Sequence, residues 1–437
     1  MHIHIVGIVG SMTAPLAIAL KKQGHEITGS DQLKIYPPFS TQLKNAKIPI
    51  NQTSINKNID LAIIGSSYLA FSHTKEEYQQ IKTQKIPFIS ATKYISKYLI
   101  KKNSILVAGS YGKTTISGAL SYLLEKAKFN PSYLFGGQGL NRQESLHLSN
   151  SDWSVVEADE SINGLDSKAK FLYYPVKYLI LTSARWEHKD SYKSEAENFN
   201  AFKQLVKNLP KDGVLVYNQN DNSLKDLLPF ATCPIIPYTS TTLPNILIGK
   251  HNQQNLAAVE SLARYLKISP KIIAGSFKSF RGIKRRLEIK SQTSGLIFID
   301  DYAQGANRIK TALTALKETY PDHIIKVFYE PHASFMQYRS NLSELSDVFD
   351  LATEIVISQL KFSSKQDSHD RLCAKDYLST IPHSQYLPLS ADLIKHYQNT
   401  LKKGEILIHF SSGGGEGLKN FQKIITFFKK NSAKINY

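Results

Sequence analysis

Strand-like apolar runs alternate with helix-compatible stretches from one end of this chain to the other. That alternation restricts it to α/β architectures with largely parallel sheets, because a parallel neighbour is reached only through a crossover connection. His2-Ile3-His4-Ile5-Val6-Gly7-Ile8 is the first run, followed by a helical segment over residues 15–22, a strand at 26–31 and another at 61–65. A second series opens at 104–108, behind a lysine-rich stretch read as a linker, and continues at 153–156, 178–181 and 213–217. The third follows Arg285-Arg286 with a strand at 295–300, then 324–329, 354–358 and 405–410. A length of 437 residues suits three domains. The expected boundaries are 1–102, 103–284 and 285–437: a Rossmann-like N-terminal domain, a central P-loop ATPase-type domain and a C-terminal Rossmann-like domain.

Composition narrows the class. Hydrophobic residues at 42% with charged residues at 21% describe a globular protein, and no apolar run approaches the ~20 residues of a bilayer-spanning helix. The N-terminal residues have no basic segment before glycine appears, so neither a secretory signal nor membrane insertion is expected, and the expected location is the cytoplasm. Cys233 and Cys373 are too few for a disulfide framework. The 54 basic and 36 acidic residues leave a net +18, but the lysines are scattered singly or in pairs. That diffuse field suits anionic small substrates, and no specific nucleic-acid partner is expected.

The sharpest local signal is Gly109-Ser110-Tyr111-Gly112-Lys113-Thr114-Thr115, set between a strand and a helix-compatible stretch. Glycines there let backbone N–H groups turn towards phosphate oxygens, and the following helix adds its positive dipole end. Lys113 would reach the β- and γ-phosphates of ATP and the Thr114 hydroxyl would ligate Mg²⁺. Val107 stands where the general pattern has glycine, so the match is to a shortened loop. Trp153-Ser154-Val155-Val156-Glu157-Ala158-Asp159-Glu160 ends a strand in carboxylates, a place for a hard cation, with Glu157 as the first candidate ligand; an acidic helix cap would look similar. His188, with Asp190 two residues on, could hold a second cation.

Weaker elements follow. The run from Gly249 to Asn255, with Asn252 and Asn255, opens a helical stretch over 255–265, where amides can read an adenine edge or merely cap the helix. Arg285 and Arg286 could reach a γ-phosphate or pair with Glu288. Asp300-Asp301 ends a strand, suited to ribose hydroxyls or a cation. Gly7, Gly10 and Ser11 lie between the first strand and helix, with Asp31 ending the next strand. The glycine spacing is wrong for a dinucleotide fingerprint and suits the diphosphate of a nucleotide sugar approached by backbone.

Taken in order, these motifs resemble the Mur ligases, ATP-dependent amide-forming enzymes of peptidoglycan synthesis and recycling. The likeness runs through Gly7 and Gly10, Asp31, residues 109–115, Glu157-Ala158-Asp159-Glu160, His188-Lys189-Asp190, His251-Asn252 with Asn255, Arg285-Arg286-Leu287-Glu288 and Asp300-Asp301-Tyr302-Ala303. It implies that Lys113 and Thr114 hold ATP and Mg²⁺, Glu157 and His188 hold cations, Asn252 contacts adenine, Arg286 contacts phosphate and Asp301 contacts ribose. The N-terminal loop would receive the UDP part of UDP-N-acetylmuramate.

The start Met1-His2-Ile3-His4-Ile5 and the segment Tyr36-Pro37-Pro38-Phe39-Ser40 look like the branch that attaches the murein tripeptide L-alanyl-γ-D-glutamyl-meso-diaminopimelate. An L-alanine-adding ligase, or a nucleotide-binding relative without ligase activity, are the alternatives. Departures from the family pattern are Gln304-Gly305-Ala306 after Ala303, Glu330-Pro331-His332-Ala333-Ser334, and Ser161-Ile162-Asn163-Gly164 after the acidic motif. Lys113→Ala is expected to abolish ATP turnover in a phosphate-release assay with little effect on folding, as for an exposed loop lysine.

Overall fold

The computed structural model describes residues 1–32, 39–50, 58–66, 68, 72–166, 168–186, 191–303, 305–331, 338–360, 371–411 and 415–431. These form two compact units, one ending at Ile283 and the other beginning at Lys284. The first unit holds two sheets. Its first 100 residues run β1 (His2–Val6), α1 (Thr13–Lys22), β2 (Glu26–Ser30), α2 (Phe39–Asn45), β3 (Leu61–Ile64), α3 (Ser72–Thr83), β4 (Phe88–Ser90) and α4 (Ala91–Tyr98). The strands pair in parallel in the order β2-β1-β3-β4.

The chain then runs β5 (Asn103–Ala108), α5 (Lys113–Lys126), β6 (Ser132–Leu134), β7 (Leu146–His147), β8 (Trp153–Glu157), β9 (Tyr178–Leu181), α6 (Glu195–Lys207), β10 (Val214–Asn218), β11 (Ile235–Tyr238), α7 (Lys250–Tyr265) and α8 (Pro270–Ser279). Its sheet has the order β11-β10-β9-β5-β8-β6-β7, antiparallel only at β7. Central strands β5, from Ile105 onward, and β9 are apolar and buried because helices cover both faces. β1 lies between β2 and β3, and β5 between β9 and β8. At such reversals of strand order neighbouring loops diverge, leaving a crevice at the carboxyl ends of the strands. Both glycine-bearing loops of the sequence emerge there.

The two sheets of this unit share one apolar cluster, in which Ile3, Leu16 and Ile63 are continuous with Leu106, Val156 and Leu179. The link between α4 and β5 is correspondingly short, from Leu99 to Lys102, with the Lys101 amide donating to Ser154 Oγ at 3.0 Å.

The second unit runs β12 (Glu288–Thr293), β13 (Leu296–Asp301), α9 (Ala306–Thr319), β14 (Ile324–Glu330), β15 (Glu354–Ile357), α10 (Ala374–Thr380), β16 (Ser384–Tyr386), α11 (Ser390–Thr400), β17 (Glu405–Ser411) and α12 (Glu416–Lys430), with sheet order β12-β13-β17-β14-β15-β16. The sequence reading opened this block with the strand at 295–300. The structure places β12 before it, antiparallel to β13. An edge strand of mostly polar residues, buried only at Glu288 and Ser291, it does not register as an apolar run.

One contact ties the loop after the acidic motif to the first sheet. Gly164 has φ 79°, and a Cβ there would lie 2.6 Å from the Ser66 carbonyl oxygen and 2.9 Å from its Cα. Gly164→Ala therefore meets both a left-handed backbone and a main-chain obstacle, a strain of about 1–3 kcal/mol. A lowered thermal unfolding midpoint is expected, and an unchanged one would place Ser66 out of contact with this loop.

Candidate active site

β5 aims the phosphate loop. Its register sets Val107 beside both Ile180 and Glu157, so Gly109 leaves the sheet next to Thr182 and one residue pair beyond the carboxylate. Gly109 has φ 119°, and a Cβ would lie 2.3 Å from Thr182 Oγ1 and 2.7 Å from Ser183 N and O. Only glycine permits that approach. The Ser110 amide donates to Ser183 Oγ at 2.9 Å, and Thr182 Oγ1 donates to the Tyr111 carbonyl at 2.7 Å. Gly112, with φ 80°, is the residue before α5, and a Cβ on it would lie 2.3 Å from Asn255 Oδ1.

The chemistry-bearing side chains converge at the start of α5. Thr114 Oγ1 donates to Glu157 Oε1 at 3.0 Å, and Glu157 Oε2 accepts the Gly136 amide at 2.6 Å. A hydroxyl and a carboxylate in contact offer only oxygen donors, which is the preference of Mg²⁺, an ion that also keeps several waters. Among the described residues no group of three or more His, Cys, Asp and Glu side chains could hold a metal alone, so such an ion would rely on water and phosphate oxygens. Lys113 Nζ donates to the Gly109 carbonyl at 2.6 Å and to Glu160 Oε2 at 2.8 Å. Asp159 accepts from Lys170 Nζ at 2.8 Å and from Ser161 Oγ at 2.6 Å. Burial pushes the Asp159 carboxyl up, but the Lys170 and Lys113 ammonium groups outweigh it and hold the group well below the ordinary carboxylate range.

Asn252 and Asn255 share one face of α7, three residues apart. Asn255 Nδ2 donates to Asn252 Oδ1 at 3.0 Å, and Asn252 Nδ2 donates to the Ile248 carbonyl at 2.9 Å. The sequence reading began this helix at Asn255. The structure begins it at Lys250 and so brings both amides onto its first two turns, with Asn255 against the phosphate loop.

At the end of β1, Gly7 turns with φ 75°, and its amide and that of Ile8 donate to the Ser30 carbonyl at 2.8 and 2.9 Å. The Val9 amide donates to Asp31 Oδ2 at 2.7 Å and the Gly10 amide to Thr13 Oγ1 at 3.1 Å; Ser11 is exposed. Asp31 thus shapes this loop from the neighbouring strand, with burial raising its carboxyl and the Gln32 and Val9 amides opposing that.

In the second unit, Asp301 is buried at the end of β13 and accepts the Leu287 amide at 2.7 Å. Arg286 lies over the Tyr302 ring, its guanidinium carbon 5.8 Å from the centroid. Arg285 does not pair through its side chain with Glu288, as the sequence reading allowed. Its Nε meets Asp300 Oδ2 at 3.0 Å, and only its backbone amide reaches Glu288. His188, Asp190, Gln304, His332 and the Tyr36-Pro37-Pro38 segment lie outside the described residues.

Comparison with known proteins agrees with this arrangement. The model described as "Mur ligase family, catalytic domain" matches residues 2–102, and the "Mur ligase middle domain" matches residues 107–243. The chain belongs to the Mur ligase family. Members of this family are ATP-dependent ligases. The UDP-N-acetylmuramate–L-alanyl-γ-D-glutamyl-meso-2,6-diaminoheptanedioate ligase of Escherichia coli is 28% identical over 82% of this chain and 85% of its own. The UDP-N-acetylmuramate–L-alanine ligase of Clostridium kluyveri is also 28% identical, over 94% and 95%. The crystal structure of the UDP-N-acetylmuramate–alanine ligase MurC of Thermotoga maritima superposes with a TM-score of 0.80 at 21% identity, covering 99% of this chain and 100% of that one. The three-domain α/β fold expected from the sequence is the fold of this family.

Glu160 is the site residue that sequence reasoning passed over. It stands three positions after Glu157 in the same acidic run, but nothing in that run says which carboxylate faces Lys113. The pairing also corrects the expectation for Lys113. Its side chain is 12% exposed and that of Glu160 2%. Removing the ammonium takes a charge partner from a buried carboxylate, which destabilises the fold. Lys113→Ala is therefore expected to destabilise this Mur ligase as well as silence it, whereas Lys113→Arg keeps the charge.

A pH dependence follows from Asp301. Burial pushes its carboxyl from 3.8 up to about 6, against the opposing charge of Arg286 and the Leu287 amide. Between those values the folded state holds a proton that the unfolded chain has lost, so this group's contribution to stability falls as pH rises, and the loss is complete above about pH 6. At 1.36 kcal/mol per pH unit it amounts to on the order of 3 kcal/mol. Unfolding midpoints measured from pH 4 to 7 should decline less in Asp301→Asn than in the parent. Equal slopes would mean that Asp301 is ionised throughout.

Proposed function

We propose that this Mur ligase family member joins the murein tripeptide L-alanyl-γ-D-glutamyl-meso-diaminopimelate to UDP-N-acetylmuramate in peptidoglycan recycling, in the cytoplasm. The phosphate loop with Thr114 against Glu157 and Lys113 poised beside them is the observation that carries the ATP-dependent step. The tripeptide is favoured by the likeness to the E. coli ligase and by the N-terminal and Tyr36-Pro37-Pro38 segments.

The chain's residues divide the work as follows. Backbone of the loop carrying Gly7, Gly10 and Ser11, shaped by Asp31, receives the diphosphate of the sugar nucleotide. Gly109 to Thr115 cradle the ATP phosphates, with Asn252 and Asn255 towards adenine and Asp301 towards ribose. Lys113 neutralises the β- and γ-phosphates and Arg286 approaches the transferred group. Thr114 and Glu157 would hold Mg²⁺, and His188 a second cation; bound there, the metal supplies charge neutralisation to the phosphoryl oxygens.

The muramate carboxylate oxygen displaces ADP from the γ-phosphorus to give an acyl phosphate. The peptide amine then attacks the acyl carbon, loses a proton, and phosphate leaves as the amide forms. Such a transfer is governed by positioning and charge more than by covalent chemistry, which matches a site made of backbone amides, lysine and carboxylates.

The L-alanine ligase is the second reading, favoured by the more complete match to the C. kluyveri enzyme. Phosphate release with ATP, Mg²⁺ and UDP-N-acetylmuramate, compared with tripeptide, with L-alanine and without amine, separates the readings. Tripeptide-dependent release is expected. Alanine-dependent release would favour the second reading, and none with any amine would mark a nucleotide-binding relative without ligase activity.

A further inference from the structure

The turn at residues 284–288, which opens the second unit, is built unlike an ordinary loop. Arg285 and Leu287 both adopt left-handed backbone, with φ 59° and 47°, and neither is glycine. Such conformations persist where the surroundings over-determine them. Here the surroundings are the end of β13. The Arg285 amide donates to Glu288 Oε2 at 2.9 Å, the Tyr302 amide donates to the Arg285 carbonyl at 2.8 Å, and Asp301 accepts the Leu287 amide. Successive residues of a strand point to opposite faces, so Asp300 and Asp301 reach this turn from two sides.

Asp300 is fully buried and its carboxylate is shared. Oδ2 accepts Arg285 Nε at 3.0 Å and Oδ1 meets His409 Nδ1 at 3.0 Å. His409 is the register partner of Asp300 on β17, so the pairing is set by the parallel ladder itself. Since a carboxylate only accepts, Nδ1 is the donor in this bond. Among the described residues His409 Nε2 has no hydrogen-bond partner, and it sits in an aromatic sleeve, the ring centroid 4.5 Å from that of Phe328 and 5.1 Å from that of Phe421. A buried imidazole retained with one nitrogen unsatisfied is a cost, and the bond it secures is the one to Asp300. Arg285 Nη2 also donates to the Ser411 carbonyl on the same strand.

We propose that Asp300, locked by His409, is a positioning residue that ties Arg285 into the sheet and thereby fixes the strained turn so that the adjacent Arg286 is the guanidinium presented to the nucleotide phosphate. Arg285 is the anchor and Arg286 the contact. The inference rests on the assignment of Arg286 to phosphate made above.

The test compares Asp300→Asn, Arg286→Ala and the double variant in the full-length protein, with kcat and KM measured separately for ATP and UDP-N-acetylmuramate and folding followed by thermal unfolding. Asp300→Asn keeps the shape but faces an amide to two N–H donors. It should lower kcat/KM for ATP by roughly ten- to hundredfold, the scale of a misplaced group, while KM for UDP-N-acetylmuramate stays within about twofold. The double variant should be no worse than Arg286→Ala, because both changes remove one contact. If Asp300→Asn does not fold, Arg285→Lys, which keeps the charge but loses the fork, carries the same comparison. Impaired ATP kinetics in Arg286→Ala with parental kinetics in Asp300→Asn, or additive losses in the double variant, would overturn the positioning role alone. Parental ATP kinetics in Arg286→Ala would overturn the phosphate assignment beneath it.

Discussion

The backbone contact between Gly109 and the segment Thr182-Ser183 is the constraint on which the site depends. A parallel sheet brings the ends of β5 and β9 side by side, and the chain leaving β5 must cross its neighbour's exit at a distance no side chain tolerates. Once that approach is made, Ser183 and Thr182 supply the hydrogen bonds that hold the loop, and α5 starts where its first-turn amides and dipole face the crevice. Lys113 and Thr114 take their places from this crossing.

Charge is handled by the same economy. The acidic run after β8 places its carboxylates in different surroundings: Glu157 on a hydroxyl and an amide, Asp159 on Lys170, Glu160 on Lys113. Each buried charge has a partner, as low-dielectric surroundings require. The second unit repeats the pattern with the opposite emphasis. Asp300 is held low by His409, Arg285 and Lys290 acting against its burial, while its neighbour Asp301 is driven up by burial. Adjacent residues on one strand thus have carboxyls shifted in opposite directions, because the charged partners that offset burial at Asp300 do not outweigh it at Asp301.

Much of the site was legible because it consists of contiguous motifs. Gly109 to Thr115 declares itself by glycine placement between a strand and a helix, and Glu157 by standing at the end of an apolar run. β12 was not legible, being a polar edge strand whose partner, not its composition, makes it a strand. Nor was the pairing of Asp300 with Arg285 rather than Arg286, two identical side chains in succession, since only the fold turns that carboxylate towards Arg285. Glu160 and Lys170 were hidden for the same reason: which member of a charge cluster pairs with which depends on contacts between residues distant in the chain.

By itself the sequence determined the α/β class, the phosphate loop and the order of motifs that marks the Mur ligase family, because periodicity, glycine placement and local spacing act over a few residues. Tertiary structure alone decided which carboxylates are spent on lysines, which arginine is tied into the sheet, and which nitrogen of His409 is left without a partner. Those outcomes follow from strand register and burial, which join residues such as Asp300 and His409 across more than a hundred positions, and no local pattern encodes them.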